Sequence, residues 1–230
     1  MLPIRDENPI RIVPVVTIAV IAACVLVFLW QLAGTAESQQ IKVYRYGLIP
    51  ASLMGAATLS PSIAAVPPWA TLLTSMFLHG GFMHLLGNML FLWIFGNNIE
   101  DRLGHGRFIV FYVASGLAAA ATQVAMDPAS TIPMIGASGA ISGVMGAYMV
   151  LYPRVPVTTL VFLGFFVTTL RIRAVWYLGI WAAMQFLSTL TMQPGEGGVA
   201  FAAHVGGFVA GLVLILVMAP PIRRRRGPWG

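Results

Sequence analysis

Gly136-Ala137-Ser138-Gly139-Ala140-Ile141-Ser142-Gly143 is the stretch on which the reading of this chain turns. It follows a loop with a turn at Asp127-Pro128 and opens an apolar run that ends at Tyr152-Pro153. That pattern predicts a helix with a serine at its mouth, set among glycines. A helix N-terminus offers unpaired backbone N–H groups and the positive end of the dipole, so it can hold a developing oxyanion. Ser138 is therefore a nucleophile candidate. Two plainer readings fit the same residues. Ser138 can serve as an N-cap, and Gly139, Gly143 and Gly146 can form a small-residue face for helix packing. The rest of the chain has to decide between them.

Composition sets the environment. The 230 residues are 58% hydrophobic and 9% charged, which reads as a polytopic membrane protein. The net charge of +6 comes from 13 Lys and Arg against 7 Asp and Glu, and the basic residues lie in loops and tails. There they act as topology signals and not as a nucleic-acid surface. The single cysteine, Cys24, rules out an intramolecular disulfide and a Cys metal cluster. The N-terminal apolar run is long for a signal-peptide core and is read as a span.

Taken in order, the apolar runs predict an all-α bundle of six spans, at about 11–33, 82–99, 107–125, 138–152, 174–191 and 199–219. Residues 1–10 read as a short polar lead and 192–198 as a turn. Residues 34–80 read as an ordered, partly helical loop in the outer interface, with Trp69 as an anchor. Residues 220–230 form a basic tail, and the whole chain reads as one membrane domain. The apolar segment 155–170 is long enough to tempt a seventh span, but charge argues against it. With six spans, Arg5, Arg11, Arg102, Arg107, Arg154, Arg171, Arg173 and the four tail arginines lie inside, and only Lys42 and Arg45 lie outside. A seventh span would move Arg171, Arg173 and the tail outside, against the positive-inside rule. The segment is therefore expected to be a hairpin or re-entrant piece on the inner side.

This topology brings distant polar residues to one level. Spans 2, 4 and 6 run outside to inside, and His84, Asn88, Ser138 and His204 all fall near their outer ends. Span 4 is roughly 22 Å long against a hydrocarbon core of about 30 Å, which puts Ser138 roughly 8 Å below the outer boundary. His204 lies roughly 7 Å below it. Gly207 and Gly211 share a stripe with His204, as Gly139, Gly143 and Gly146 do below Ser138. Packing the two stripes together would bring Ser138 and His204 toward hydrogen-bond reach, as a nucleophile with its general base.

His84 and Asn88, at i and i+4, share a face and can both donate hydrogen bonds. That suits an oxyanion hole, or alternatively interhelical glue. His79 lies roughly 140° from His84 and does not form a metal pair with it; it is expected to brace the loop-to-helix junction. His105 is expected to be solvated. The chain has no His-Glu-x-x-His, no span with a central Asp and no internal repeat, so zinc, aspartyl and transporter readings lack their residues. No metal or cofactor is expected.

Four stretches in this order resemble the rhomboid intramembrane serine proteases. They are His79-Gly-Gly-Phe-Met-His84-Leu-Leu-Gly-Asn88, Glu100-Asp101-Arg102-Leu103-Gly104, Gly136-Ala-Ser138-Gly139 and Ala203-His204-Val-Gly-Gly207-Phe-Val-Ala-Gly211. The resemblance implies a six-helix rhomboid-type bundle with a Ser–His dyad and no acidic third member. By motif position Ser138 is the nucleophile and His204 the base. His84, Asn88, the Ser138 backbone N–H and the flanking Gly136 and Gly139 form the oxyanion and substrate-binding surface. The first loop and span 5 act as the substrate gate. The chain departs from the pattern in carrying Ser142 where many relatives place an aromatic residue against the catalytic histidine, and Trp69-Ala70 where some have Trp-Arg.

The resulting expectation is a serine endopeptidase that cleaves transmembrane segments of other membrane proteins near the outer face. Its expected setting is the lipid bilayer of a bacterial plasma (inner) membrane, with both termini cytoplasmic and no nucleic-acid partner. The alternative is a non-catalytic binding or quality-control adaptor on the same fold.

Overall fold

A computed structural model describes residues 1–164, 166–191 and 198–220. Strand β1 (Leu2–Asp6) leads into α1 (Val15–Leu32). The first turn of α1 has no side-chain cap of its own. Its free N–H groups at Val16 and Thr17 instead donate to the buried Glu100 carboxylate, at 2.9 and 2.7 Å, and the Thr17 hydroxyl adds a third bond at 2.7 Å. Only Thr17, Cys24, Phe28 and Gln31 of α1 are buried, a single stripe, while Leu26, Leu29 and Trp30 point outward. An apolar outer face of this kind belongs in lipid.

Residues 34–80 hold short helices: α2 (Ala36–Tyr46), α3 (Pro50–Leu53) and α4 (Thr71–Thr74), with 3₁₀ turns at Pro68–Ala70 and Ser75–Phe77. Thr35 caps α2 by accepting from Ser38 N–H. After the His79-Gly80-Gly81 break, α5 (Phe82–Phe91) runs through a π-helical turn (Leu92–Gly96) into α6 (Asn97–Leu103). The Pro68–Phe77 and Phe82–Leu103 segments are bent by 81° relative to each other. Then come α7 (His105–Met126), α8 (Ser138–Leu151), β2 (Pro156–Leu163), β3 (Phe166–Arg173), α9 (Ala174–Thr191) and α10 (Phe201–Met218).

The fold is mostly helical. Among the described residues three helices, α1, α7 and α10, are long and apolar enough to cross a membrane, and a fourth span results if the bent pair counts as one. The expectation of an all-α chain needs correction, because β1, β2 and β3 form an antiparallel sheet in the order β1-β2-β3. Residues 155–170 make the β2–β3 hairpin, in register from Pro156↔Arg173 to Leu163↔Phe166. Runs of Val, Thr and Phe favour this pleated pairing, and Gly164 turns the chain at φ +62°. Residues 1–10 are likewise not a plain polar lead: Leu2 pairs with Leu160 and Asp6 with Val157.

The sheet closes one end of the bundle. Asp6 accepts hydrogen bonds there from the Tyr148 hydroxyl (2.6 Å) and the Asn98 amide (2.9 Å), tying β1 to α8 and α6. Glu7 pairs with Arg171 of β3. His105 is not merely solvated. Gly104 turns the chain so that the His105 Nδ1 lies 2.6 Å from buried Glu100.

At the centre stands α8, buried without interruption from Ala140 to Tyr148. It packs backbone to backbone on α10. A Cβ built at Gly207 would lie 2.0 Å from the Gly139 carbonyl oxygen, and one at Gly146 would lie 2.3 Å from the Phe208 oxygen. Only glycine permits that approach. The turn read at 192–198 lies, for 192–197, outside the described residues, as do the tail arginines at 223–226.

Candidate active site

At the end opposite the sheet, the first residue of α8 meets the first turn of α10. Ser138 Oγ lies 2.8 Å from His204 Nε2. Close glycine packing sets the helix separation, and Ser138 at the start of α8 lies level with His204 in the first turn of α10. The other ring nitrogen, His204 Nδ1, lies 2.7 Å from Gln185 Oε1, an acceptor that matches a proton on Nδ1. Nε2 is then free to accept from the Ser138 hydroxyl.

His84 stands across the mouth of α8. Gly80 N–H donates to His84 Nδ1 at 3.2 Å, which leaves the imidazole proton on Nε2. Gly136, at φ +123°, lets the chain pass beside that ring: a Cβ here would lie 2.8 Å from His84 Nε2 and 3.6 Å from Ser138 Oγ. Gly136 N–H is itself bound to the Ser75 carbonyl at 2.9 Å. Asn88, one turn deeper, is buried, and its Nδ2 has no acceptor among the described residues. Gly139 presses on α7, where a Cβ would lie 2.6 Å from Ala119 Cβ. His84, Asn88, Gly136, Ser138, Gly139 and His204 all line one cavity of about 740 Å³.

The remaining histidine of this region braces the helix break. His79 N–H donates to Gln31 Oε1 at 2.9 Å and its carbonyl accepts from Gln31 Nε2 at 3.2 Å. Among the described residues no three His, Cys, Asp or Glu side chains converge into a metal-ligating group.

Two site residues escaped the sequence reading, both on α9. Gln185 is the partner of His204 Nδ1, and the Trp181 ring lies 5.8 Å from the imidazole, tilted by 36°. Their i, i+4 spacing on a largely apolar helix was the available signal. The Ser142 hydroxyl donates to the Ser138 carbonyl at 2.6 Å. Chemically, the arrangement offers an oriented hydroxyl, an acceptor nitrogen and N–H donors on the far side, which are the parts acyl transfer needs.

Comparison with known proteins places the chain among its relatives. The Rhomboid domain family matches residues 67–221. The chain is similar to Rhomboid protease GluP of Bacillus subtilis, 40% identical over 38% of this chain and 17% of the relative. It is similar to mitochondrial Rhomboid protein 1 of Saccharomyces cerevisiae, 28% identical over 68% of this chain and 44% of the relative. It is also similar to Rhomboid protease GlpG of Salmonella paratyphi A, 28% identical over 66% of this chain and 49% of the relative. The chain thus spans less than half the length of each of these relatives.

Proposed function

The chain belongs to the rhomboid family of integral membrane proteins, and from that premise we propose that it is a serine endopeptidase that cuts transmembrane segments of other membrane proteins. The observation that carries the proposal is the 2.8 Å contact between Ser138 Oγ and His204 Nε2 at the mouth of a buried helix.

The reaction follows from the atoms. Ser138 Oγ attacks the scissile carbonyl carbon while its proton passes to His204 Nε2. The carbonyl oxygen becomes an anion beside the Ser138 backbone N–H, His84 Nε2–H and Asn88 Nδ2–H, donors fixed before the charge appears. The C–N bond breaks as His204 returns the proton to the leaving amine, and Ser138 is left acylated. A water gives a proton to His204 Nε2 and attacks the ester carbonyl; the ester C–O bond then breaks as that proton passes to Ser138 Oγ, and the carboxylic acid leaves and ionises in water. Among the described residues no acidic side chain is bonded to the dyad.

Six spans place the chemistry: α1, the α5–α6 helix, α7, α8, α9 and α10. The dyad end faces outside, and the sheet and both termini face inside. Arg5, Arg171 and Arg173 lie on the strands, and Arg11, Arg102, Arg107 and Arg154 lie beside the helix ends that meet the sheet, which supports that orientation. The 14-residue α8 is only about 21 Å long. Ser138 therefore sits below the outer boundary, where a cavity rather than dry lipid can supply water. Trp69, exposed on its 3₁₀ turn, suits an interfacial anchor. The setting proposed is a bacterial plasma membrane.

The test is cleavage of a transmembrane reporter by the purified chain in liposomes. Ser138→Ala and His204→Ala should each abolish cleavage without unfolding the protein, and the double variant should be no worse than either single one. Substantial residual cleavage by Ser138→Ala would end the assignment. Reporter binding without cleavage by the unaltered chain would favour the adaptor role.

A further inference from the structure

We propose that Gln185 is a positioning residue for His204. Its side-chain carbonyl holds the imidazole with the proton on Nδ1 and leaves Nε2 open to the Ser138 proton, while Trp181 fixes the ring plane from the same helix face. The inference rests on the serine–histidine reading above.

Three observations carry it. First, His204 Nδ1 and Gln185 Oε1 are 2.7 Å apart, and a carbonyl oxygen can only accept. A neutral imidazole has one proton, so this bond selects the tautomer in which Nε2 is the base. Secondly, Ser142 of α8 has no ring to lay against the imidazole and spends its hydroxyl on the Ser138 carbonyl. Trp181 covers the ring instead, 5.8 Å away, and packs 6.1 Å from Phe208 of α10. Thirdly, α9 is poorly held elsewhere. Its buried residues are Ala174, Tyr177 and Leu178, all in its first five positions. Beyond them, Trp181 and Gln185 join α9 to the first turns of α10, at His204 and at Phe208. The orientation of the base therefore depends on α9 being docked. A base on one helix and its orienting acceptor on another are the parts of a serine triad, with a neutral amide in the third place.

The test reads the tautomer directly. In the ¹⁵N spectrum of the full chain in detergent, with the four histidines labelled, the His204 signals are identified by their loss in His204→Ala. The expected result is a protonated Nδ1 and an unprotonated Nε2 in the unaltered chain. Gln185→Leu, close in size but without an acceptor, should lose that preference. It should lower kcat roughly ten- to hundredfold, with KM changed much less. Gln185→Glu restores an acceptor and should restore both the tautomer and most of the turnover.

A proton on Nε2 in the unaltered chain would overturn the proposal, since Gln185 would then be donating its amide. Unchanged kcat in Gln185→Leu would overturn it as well. Should Gln185→Leu not fold, the spectrum of the unaltered chain still decides. Failure of the unaltered chain to cleave, with Nδ1 protonated, would instead overturn the proteolytic reading alone.

Discussion

Gly211 of α10 lies so close to Gly143 of α8 that a Cβ built at Gly211 would stand 1.9 Å from the Gly143 carbonyl oxygen. The neighbouring atom is backbone, so it cannot swing aside, and the helices must part to admit even a methyl group. Gly207 and Gly211 follow His204 on one stripe, so the same separation carries His204 away from Ser138. Gly211→Ala should lower stability by about 1–3 kcal/mol, the range for overpacking, and depress turnover in the molecules that stay folded. Gly179→Ala, where nothing lies within 4 Å, is the control. Thermal unfolding and cleavage measured side by side check this; a Gly211→Ala protein as stable and active as its parent would contradict the packing account.

Asn88 separates transition-state stabilisation from structural glue. Its amide is buried without an acceptor among the described residues, as expected of a donor reserved for a charge that forms only during reaction. Asn88→Ala should lower turnover by roughly 10²-fold, about 2.7 kcal/mol, with substrate affinity changed much less. If turnover per folded molecule is unchanged and only the melting temperature falls, Asn88 is glue.

What the sequence made legible, and what it did not, follows from how local each signal is. Ser138 and His204 could be brought together on paper because helical rise fixes depth and the glycine stripes fix the facing sides. The hairpin at 155–170 was harder. Val, Thr, Leu and Phe appear on both of its faces, so period-two alternation is blurred and the run resembles a span. β1 was missed because Leu2–Asp6 pairs only with a strand some 150 residues away. Gln185 was missed because a single glutamine in an apolar helix shows its partner only once α9 and α10 are packed.

Asp6 provides a pH signature at the sheet end, outside the spans. Burial raises its carboxyl pKa above the ordinary carboxylate value, and hydrogen bonds from Tyr148 and Asn98 only partly oppose that. A pKa raised on folding means the folded state prefers the protonated form. The associated stability is fully present below the unfolded pKa and is lost as pH rises through the folded one. The stability of the parent relative to Asp6→Asn should therefore decline as pH rises out of the acid range. A difference that grows with pH would contradict this environment for Asp6.

Topology can be tested with single cysteines in a Cys24→Ala background, since Cys24 is buried. In intact cells an impermeant thiol reagent should label Glu37→Cys on α2, and should reach Thr169→Cys on β3 only after the membrane is opened. Both positions are exposed. Labelling of Thr169→Cys in sealed cells would place the sheet outside and reverse the proposed orientation.

The central claim is that Ser138 is a nucleophile activated by His204. The most direct measurement is covalent labelling of the folded chain by a fluorophosphonate, with the modified residue identified by peptide mass analysis. The account predicts a single adduct on Ser138 Oγ, formed quickly in the parent and lost in His204→Ala. A folded, monodisperse parent that takes no adduct at Ser138, or takes one equally fast without His204, would contradict it.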